Sequence, residues 1–311
     1  MTFSGRSVRR GTAAAVGAAV LFGINGSVAK VVVGAGITAP QLTLARLAAT
    51  TLIAGVALAV SAPQWLRISW RTMGRMAALG VGGLAMIQWL YTEAITHLQV
   101  GVGLLFEYTA VLLVALTAWA VLKEVVHRRL WWAIAAVLVG LALVARVWDA
   151  SLNVVGVAAG LAAAVAYAFY FLAGERIAAT TPPLAVLFWA SLWATAFWAV
   201  FSAWWRIEWS ALTIPTSLTG ALAGVTPPVW VPLLWVMTLG GFAPFFLSIT
   251  ALRHLSATAA GIYSTLEVVV AFAVAWMWLG EALTPLQLAG TALVLVGLGI
   301  AQTVRRGDLR G

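Results

Sequence analysis

One constellation of residues occurs twice in this chain, 157 residues apart and without a gap. Ala94, His97 and Leu98 return as Ala251, His254 and Leu255, and Trp119, Leu122 and Glu124 return as Trp276, Leu279 and Glu281. The run Val137-Leu138-Val139-Gly140-Leu141 returns intact as Val294-Leu295-Val296-Gly297-Leu298. In a chain that is 63% hydrophobic, matches among Leu, Val and Ala arise by chance, but a fixed register of His, Trp, Glu and Gly does not. A duplicated membrane domain points to a transporter whose site lies between the two copies.

Ten apolar runs, at about 12–33, 40–60, 75–95, 99–122, 130–147, 153–174, 183–205, 229–251, 256–279 and 285–304, approach the roughly 20 residues that a helix needs to cross a bilayer. They take up most of the length and leave no room for a soluble domain. The expected fold is therefore an all-α integral membrane protein of ten transmembrane helices, arranged as two five-helix repeats over residues 1–148 and 149–311. Five is odd, so the second copy enters the membrane from the opposite side, and the copies are inverted about an axis in the membrane plane. Arg6, Arg9 and Arg10 before the first run resemble a secretory signal. That run is longer than an h-region of roughly 7–15 residues, however, and it also serves as the first span of the first repeat.

The net charge of +9 does not read as a nucleic-acid surface, because the Arg and Lys residues sit between spans without interleaved aromatics. They read as topology signals. With the N-terminus inside, the inner segments hold fourteen Arg and Lys residues and the outer segments only Arg146 and Arg206. Both termini are then cytoplasmic. Trp65, Trp70, Trp131, Trp132, Trp204, Trp205 and Trp209 cluster near span ends, as an aromatic belt in a lipid bilayer does. The connection 206–228 has room for a short interfacial helix. Cysteine is absent, which excludes disulfides and thiolate metal sites.

Two segments carry a family resemblance: Leu104-Leu105-Phe106-Glu107-Tyr108 through Lys123-Glu124, and Ser264-Thr265-Leu266-Glu267 through Gly280-Glu281, each followed by a Gly-containing span. In these the chain resembles the EamA type of the drug/metabolite transporter superfamily. The resemblance implies a multi-pass protein of the bacterial inner membrane that moves a small metabolite. Members mostly export small metabolites, including amino acids and related compounds, and others import, or exchange sugars and nucleotide-sugars. The family often has a proline just after mid-span, where this chain has Val111 and Val268. Its loss in both copies predicts straighter fourth and ninth helices.

Charges inside spans are costly and tend to face a cavity or a partner. From about 1.5 Å of rise per residue, Arg46 lies roughly 9 Å from the outer end of its span and Glu107 roughly 12 Å. Similar depths suggest a pair, and Lys30 and Glu93 suggest a second near the outer ends of the first and third spans. Arg46 in a central cavity would hold a substrate carboxylate, with Glu107 holding its amine or taking a proton. Glu267 lies near the middle of the ninth span, without a cation at that depth. Burial favours the neutral form of such a carboxyl, which makes it a second candidate for proton coupling. Glu124 and Glu281, at helix C-termini, and His97 and His254, in matching turns, read as structural, and no metal-ligand cluster surrounds either histidine.

Asn25, Gln41, Gln88, Tyr91, Tyr108, Tyr167, Tyr170 and Tyr263 are the polar and amphipathic groups available to line a cavity. Of these, Asn25, Gln88, Tyr108, Tyr167, Tyr170 and Tyr263 join Arg46, Glu107 and Trp89 as the expected substrate contacts. Trp89, Phe106, Phe169, Trp189 and Trp193 are the expected apolar walls. No Walker A sequence, HExxH or GxSxG is present, so the reading is a secondary transporter, needing no cofactor or metal, rather than an enzyme. The expected partners are a small-molecule substrate, the lipid bilayer and, if transport is coupled, protons. The chain would act as a monomer or homodimer, without nucleic acid. A cationic drug efflux transporter is the alternative, and Arg46 facing the cavity would count against it. An intramembrane lipid enzyme would need catalytic groups gathered at one membrane face, whereas the charges here lie at several depths.

Overall fold

A computed structural model describes residues 7–98, 100–121, 123, 128–148, 153–279 and 284–308. Glu124 and Glu281 lie outside the described residues. Within them the chain is helical, and the only extended pairing is an isolated bridge between Pro215 and Pro228. Helix is what an apolar chain must form in lipid, where no water satisfies the backbone.

The segments join into ten rods: α1 (Val8–Gly34), α2 (Ala39–Ser61), α3 (Trp70–Ala78, Leu79–Ala85 and Met86–His97), α4 (Val100–Tyr108 and Ala110–Ala120), α5 (Arg128–Ala145), α6 (Val154–Ala178), α7 (Pro183–Phe201), α8 (Trp230–Met237, Thr238–Phe242 and Ala243–His254), α9 (Ala257–Ser264 and Leu266–Leu279) and α10 (Pro285–Asp308). Seven of these are long and apolar enough to cross a membrane: α1, α2, α4, α6, α7, α8 and α9.

Polar caps define where several rods begin. Thr38 and Gln41 form a capping box at the start of α2, Gln41 Oε1 accepting from Thr38 N at 3.0 Å. Asn153 Oδ1 accepts from Val155 N at 2.9 Å to start α6. The start of α9 is tied to α6 of the same half, since Glu175 Oε2 accepts from Ala257 N at 2.7 Å.

Contacts between rods are reciprocal across the two halves. α5 packs on α10 and α2 on α7, while α1 lies against α8 and α9 as α6 lies against α3 and α4. The α5–α10 seam shows the relation at atomic scale. A Cβ on Gly140 would sit 2.7 Å from Gly290 O, and one on Gly297 would sit 2.8 Å from Ala133 O, so the backbones touch at both points. Gly140 faces 290–294 while Gly297 faces 133–137, so the two helices are antiparallel. An axis that exchanges two antiparallel helices is perpendicular to both. His97 and His254 share the symmetry in their packing, His97 Cβ and Leu98 against Gly156 and His254 Cβ and Leu255 against Gly11.

Two features depart from the sequence expectation. α4 and α9 are interrupted at Thr109 and Thr265 despite the valines at 111 and 268. At each break the threonine hydroxyl donates to a carbonyl three residues back, Thr109 Oγ1 to Phe106 O at 2.6 Å and Thr265 Oγ1 to Ile262 O at 2.7 Å. The backbone tightens to the same spacing, with Thr109 N on Phe106 O and Thr265 N on Ile262 O, both at 3.2 Å. Hydroxyl back-bonding of this kind bends helices, so threonine supplies the break without proline. Secondly, α3 and α8 each contain a π-helical turn, at the glycine-bearing stretches Leu79–Ala85 and Thr238–Phe242. Such turns are rare and gather at functional sites.

The connection after α7 holds three short 3-10 turns, Trp204–Arg206, Trp209–Thr213 and Gly220–Leu222, in place of an interfacial α-helix. Trp278 of α9 anchors it, Nε1 donating to Leu218 O at 3.0 Å. Trp204, Trp205 and Trp209 are exposed there, as are Trp70 and Trp132 elsewhere.

Candidate functional site

Seven rods send side chains into one cavity at the middle of the bundle: Phe22 and Asn25 from α1, Arg46 from α2, Ile87, Gln88 and Tyr91 from α3, Glu107 from α4, Tyr167 from α6, Phe245 from α8 and Glu267 from α9. Its polar members come from both halves. Its volume is about 40 Å³. At about 10–15 Å³ per water, that admits a few waters and no organic metabolite, so binding requires the rods to separate.

Arg46 is 4% exposed, and its guanidinium is poorly satisfied. Nη2 makes one long contact, 3.5 Å to Asn25 Oδ1, and Nε has no partner. The expected ion pair with Glu107 is not formed among the described residues. Arg46 forms no ion pair with Glu267 either among the described residues, though the two border the same cavity and act on each other electrostatically. Equal depth along two helices placed Arg46 and Glu107 in one layer, but helix phase chose the neighbour. Glu267 is held by Tyr108, whose hydroxyl donates to Oε2 at 2.6 Å. Glu107 has no hydrogen-bond partner among the described residues and borders the cavity, as does Gln88, whose Oε1 is buried and unpartnered. The site therefore holds an under-satisfied cation, a free carboxyl and a free amide oxygen within one small space.

The Lys30–Glu93 pair is also not formed. Lys30 is exposed, and Glu93 Oε1 meets His97 Nε2 at 3.3 Å, one turn along α3. Adjacent turns of one helix are closer than two rod ends.

The breaks in α4 and α9 position the two carboxyls. Glu107 lies in the last turn of the first segment of α4, two residues before Thr109, and Glu267 in the first turn of the second segment of α9, two residues after Thr265. In the π turn of α8, Gly240 makes room for Asn25. A Cβ there would fall 2.0 Å from Asn25 Oδ1, whereas at the neighbouring Gly241 the nearest atom is 3.3 Å away. Gly240→Ala is expected to push Asn25 off Arg46 and cost about 1–3 kcal/mol of stability, as over-packing does. Thermal unfolding in detergent should show the loss, with Gly241→Ala close to the parent protein.

Several expected contacts lie elsewhere. Tyr108 sits behind the cavity as the partner of Glu267, and Tyr263 is buried away from it. Tyr170 is fully buried in an aromatic cluster with Phe171 and Phe245, at ring distances of 5.7 and 6.2 Å. Trp89 packs edge-on against Trp198 at 5.4 Å. Phe106 lies on Gly160, Phe169 is exposed, Trp189 donates to Trp65 O, and Trp193 does not border the cavity. The apolar walls are Phe22, Ile87 and Phe245. Phe22 precedes Asn25 by three residues and Ile87 precedes Tyr91 by four, which puts each on the same helix face as a polar group already in view.

A dry layer closes one end. Ala29, Leu42 and Val236 lie one helical turn from Asn25, Arg46 and Gly240 and are 2%, 0% and 0% exposed. With Val28 and Val32 they belong to a separate apolar cluster between the cavity and the end of the bundle where α1 ends and α2 and α8 begin.

A model of the EamA-like transporter family matches the chain twice, over residues 9–146 and 154–302. The threonine/homoserine exporter RhtA of Escherichia coli strain K12 is 28% identical over 272 residues, covering 86% of this chain and 83% of the exporter. RhtA from two further strains of the species gives the same figures. A solved structure described only as a protein aligns with a TM-score of 0.75 at 19% identity, covering 96% of this chain and 99% of its own, which is a likeness of fold.

Proposed function

Because the chain belongs to the EamA-like transporter family, we propose that it is a secondary exporter of small zwitterionic metabolites, amino acids foremost, acting in the bacterial inner membrane with both termini in the cytoplasm. The observation that carries this reading is the pairing of unmet opposite charges in one cavity, the guanidinium of Arg46 and the carboxyl of Glu107. A buried charge without full partners is costly, and a ligand bringing a carboxylate and an ammonium would complete both. Gln88, which lines the cavity, would take the ammonium or a side-chain hydroxyl, and Tyr167, Phe22 and Phe245 the carbon skeleton. The similarity to a threonine/homoserine exporter favours hydroxylated amino acids among the candidates.

Two inverted repeats, 1–148 and 149–311, would give this single site a route to each face. Rocking about the paired threonine breaks of α4 and α9 is the proposed motion, and the layer of Leu42 and Val236 the gate toward the outer end. Glu267 or Glu107 would carry the proton in a coupled cycle. Arg46 in the cavity repels a lipophilic cation and counts against cationic drug efflux.

Purified protein in liposomes tests the proposal. Vesicles loaded with labelled threonine or homoserine should release it in a protein-dependent manner, faster with an acidic trans side, while a cationic dye is not moved. Release of the dye, with every amino acid retained, would overturn it.

A further inference from the structure

A second cavity, of about 350 Å³, lies beyond the dry layer at the end of the bundle where α1 ends and α2 begins. It sits inside the range of about 300–1,000 Å³ typical of small-molecule pockets, and it is much larger than the central one. Its wall is built from the α1–α2 turn, the end of α7 and the loop that follows. Ser202 borders it, is 2% exposed, and its Oγ has no hydrogen-bond partner. The neighbouring Ala203 holds a left-handed backbone, φ 51°, and its carbonyl accepts from Gln41 Nε2 at 3.3 Å. A strained residue fixed by a side chain 162 positions away marks a built wall rather than a loose loop.

Arg206 and Glu208 also border this cavity, and both are exposed. Opposite charges two residues apart form no ion pair with each other, and neither side chain has a polar partner among the described residues. The pocket thus repeats the chemistry of the central site: a cation, a carboxylate and an unmet hydroxyl-sized polar group around a space open to the end of the bundle.

We propose that this pocket is a second binding site for the transported zwitterion, a release subsite that a substrate occupies after passing the gate of Leu42 and Val236. Its carboxylate meets Arg206 and its ammonium meets Glu208. The assignment rests on the exporter reading above, in which a metabolite leaves the central site toward this end of the bundle. Since its charges are solvated, this site is the weaker of the two.

Equilibrium binding of labelled threonine to purified protein in lipid-free detergent provides the test. The parent protein should bind two molecules per chain, one tightly and one at least ten-fold more weakly. Arg206→Gln and Glu208→Gln, both at exposed positions that leave folding intact, should each remove the weak component and keep the tight one. Arg46→Gln should remove the tight component and keep the weak one. One molecule per chain in the parent protein, or a weak component indifferent to Arg206 and Glu208, would overturn the subsite while leaving the exporter reading intact. No binding at all would overturn both. Binding of glycerophosphoethanolamine in place of the amino acid would assign the pocket to a lipid headgroup and overturn the subsite.

Discussion

Replacing Arg46 by glutamine is expected to abolish measurable export. Truncating one partner of a buried charge contact typically costs about 2–5 kcal/mol. At about 1.4 kcal/mol per factor of ten, that corresponds to a loss of roughly 30-fold to several thousand-fold in affinity for the substrate. The residue has little else to do: one long contact to Asn25 and an unpartnered Nε are poor return for burying a guanidinium, unless a ligand completes it. Arg46→Lys should fall between the two. It keeps the charge but loses the planar fork that grips a carboxylate through two parallel bonds. A purely structural arginine predicts a different pattern, a fall in melting temperature proportional to the fall in transport for both variants. Transport by Arg46→Gln within a few-fold of the parent, at equal abundance in the membrane, would remove this residue from the site.

The sequence made the fold legible because the membrane restricts it so heavily. Runs of about 20 apolar residues can only be helices in lipid. The 157-residue register then predicted the reciprocal packing seen at Gly140 and Gly297. The site was legible through cost: Arg46, Glu107 and Glu267 stand out because nothing structural excuses a charge at that depth, and all three border one cavity. What hydropathy cannot give is helix phase. Trp89 and Gln88 are adjacent in sequence, yet the amide faces the cavity and the indole faces Trp198. Phase also gave Arg46 the amide of Asn25, rather than Glu107, as its hydrogen-bond partner. The breaks in α4 and α9 were missed for another reason. The absence of proline argues for a straight helix, but a threonine hydroxyl two or three residues earlier frees the backbone equally well.

Glutamine in place of the coupling carboxyl, Glu267 or Glu107, is expected to uncouple transport from the proton gradient while sparing exchange of substrate. Glutamine keeps an oxygen that can accept from the Tyr108 hydroxyl, so the packing around the 2.6 Å bond survives, but it cannot take up or release a proton. Export driven by an acidic trans side should fall to the rate without a gradient, whereas counterflow of labelled against unlabelled substrate should stay within a few-fold of the parent. The sign follows from the geometry. When ionised, Glu267 competes with the substrate carboxylate for Arg46, its only cationic neighbour among those acting on it. When protonated, it releases Arg46 to the substrate. Protonation therefore favours substrate binding, and deprotonation on the cytoplasmic side expels a mismatched carboxylate. An antiporter needs the reverse order, substrate leaving as the proton enters from outside, so on this geometry alone the proton travels with Glu107, which has no such tie, if coupling is antiport. The double comparison decides between them. Loss of gradient dependence in Glu267→Gln with retention in Glu107→Gln assigns the proton to the Tyr108-bonded carboxyl, and the opposite result assigns it to Glu107. Gradient dependence surviving in both variants would mean that neither carboxyl carries the proton, leaving both as fixed charges of the binding site.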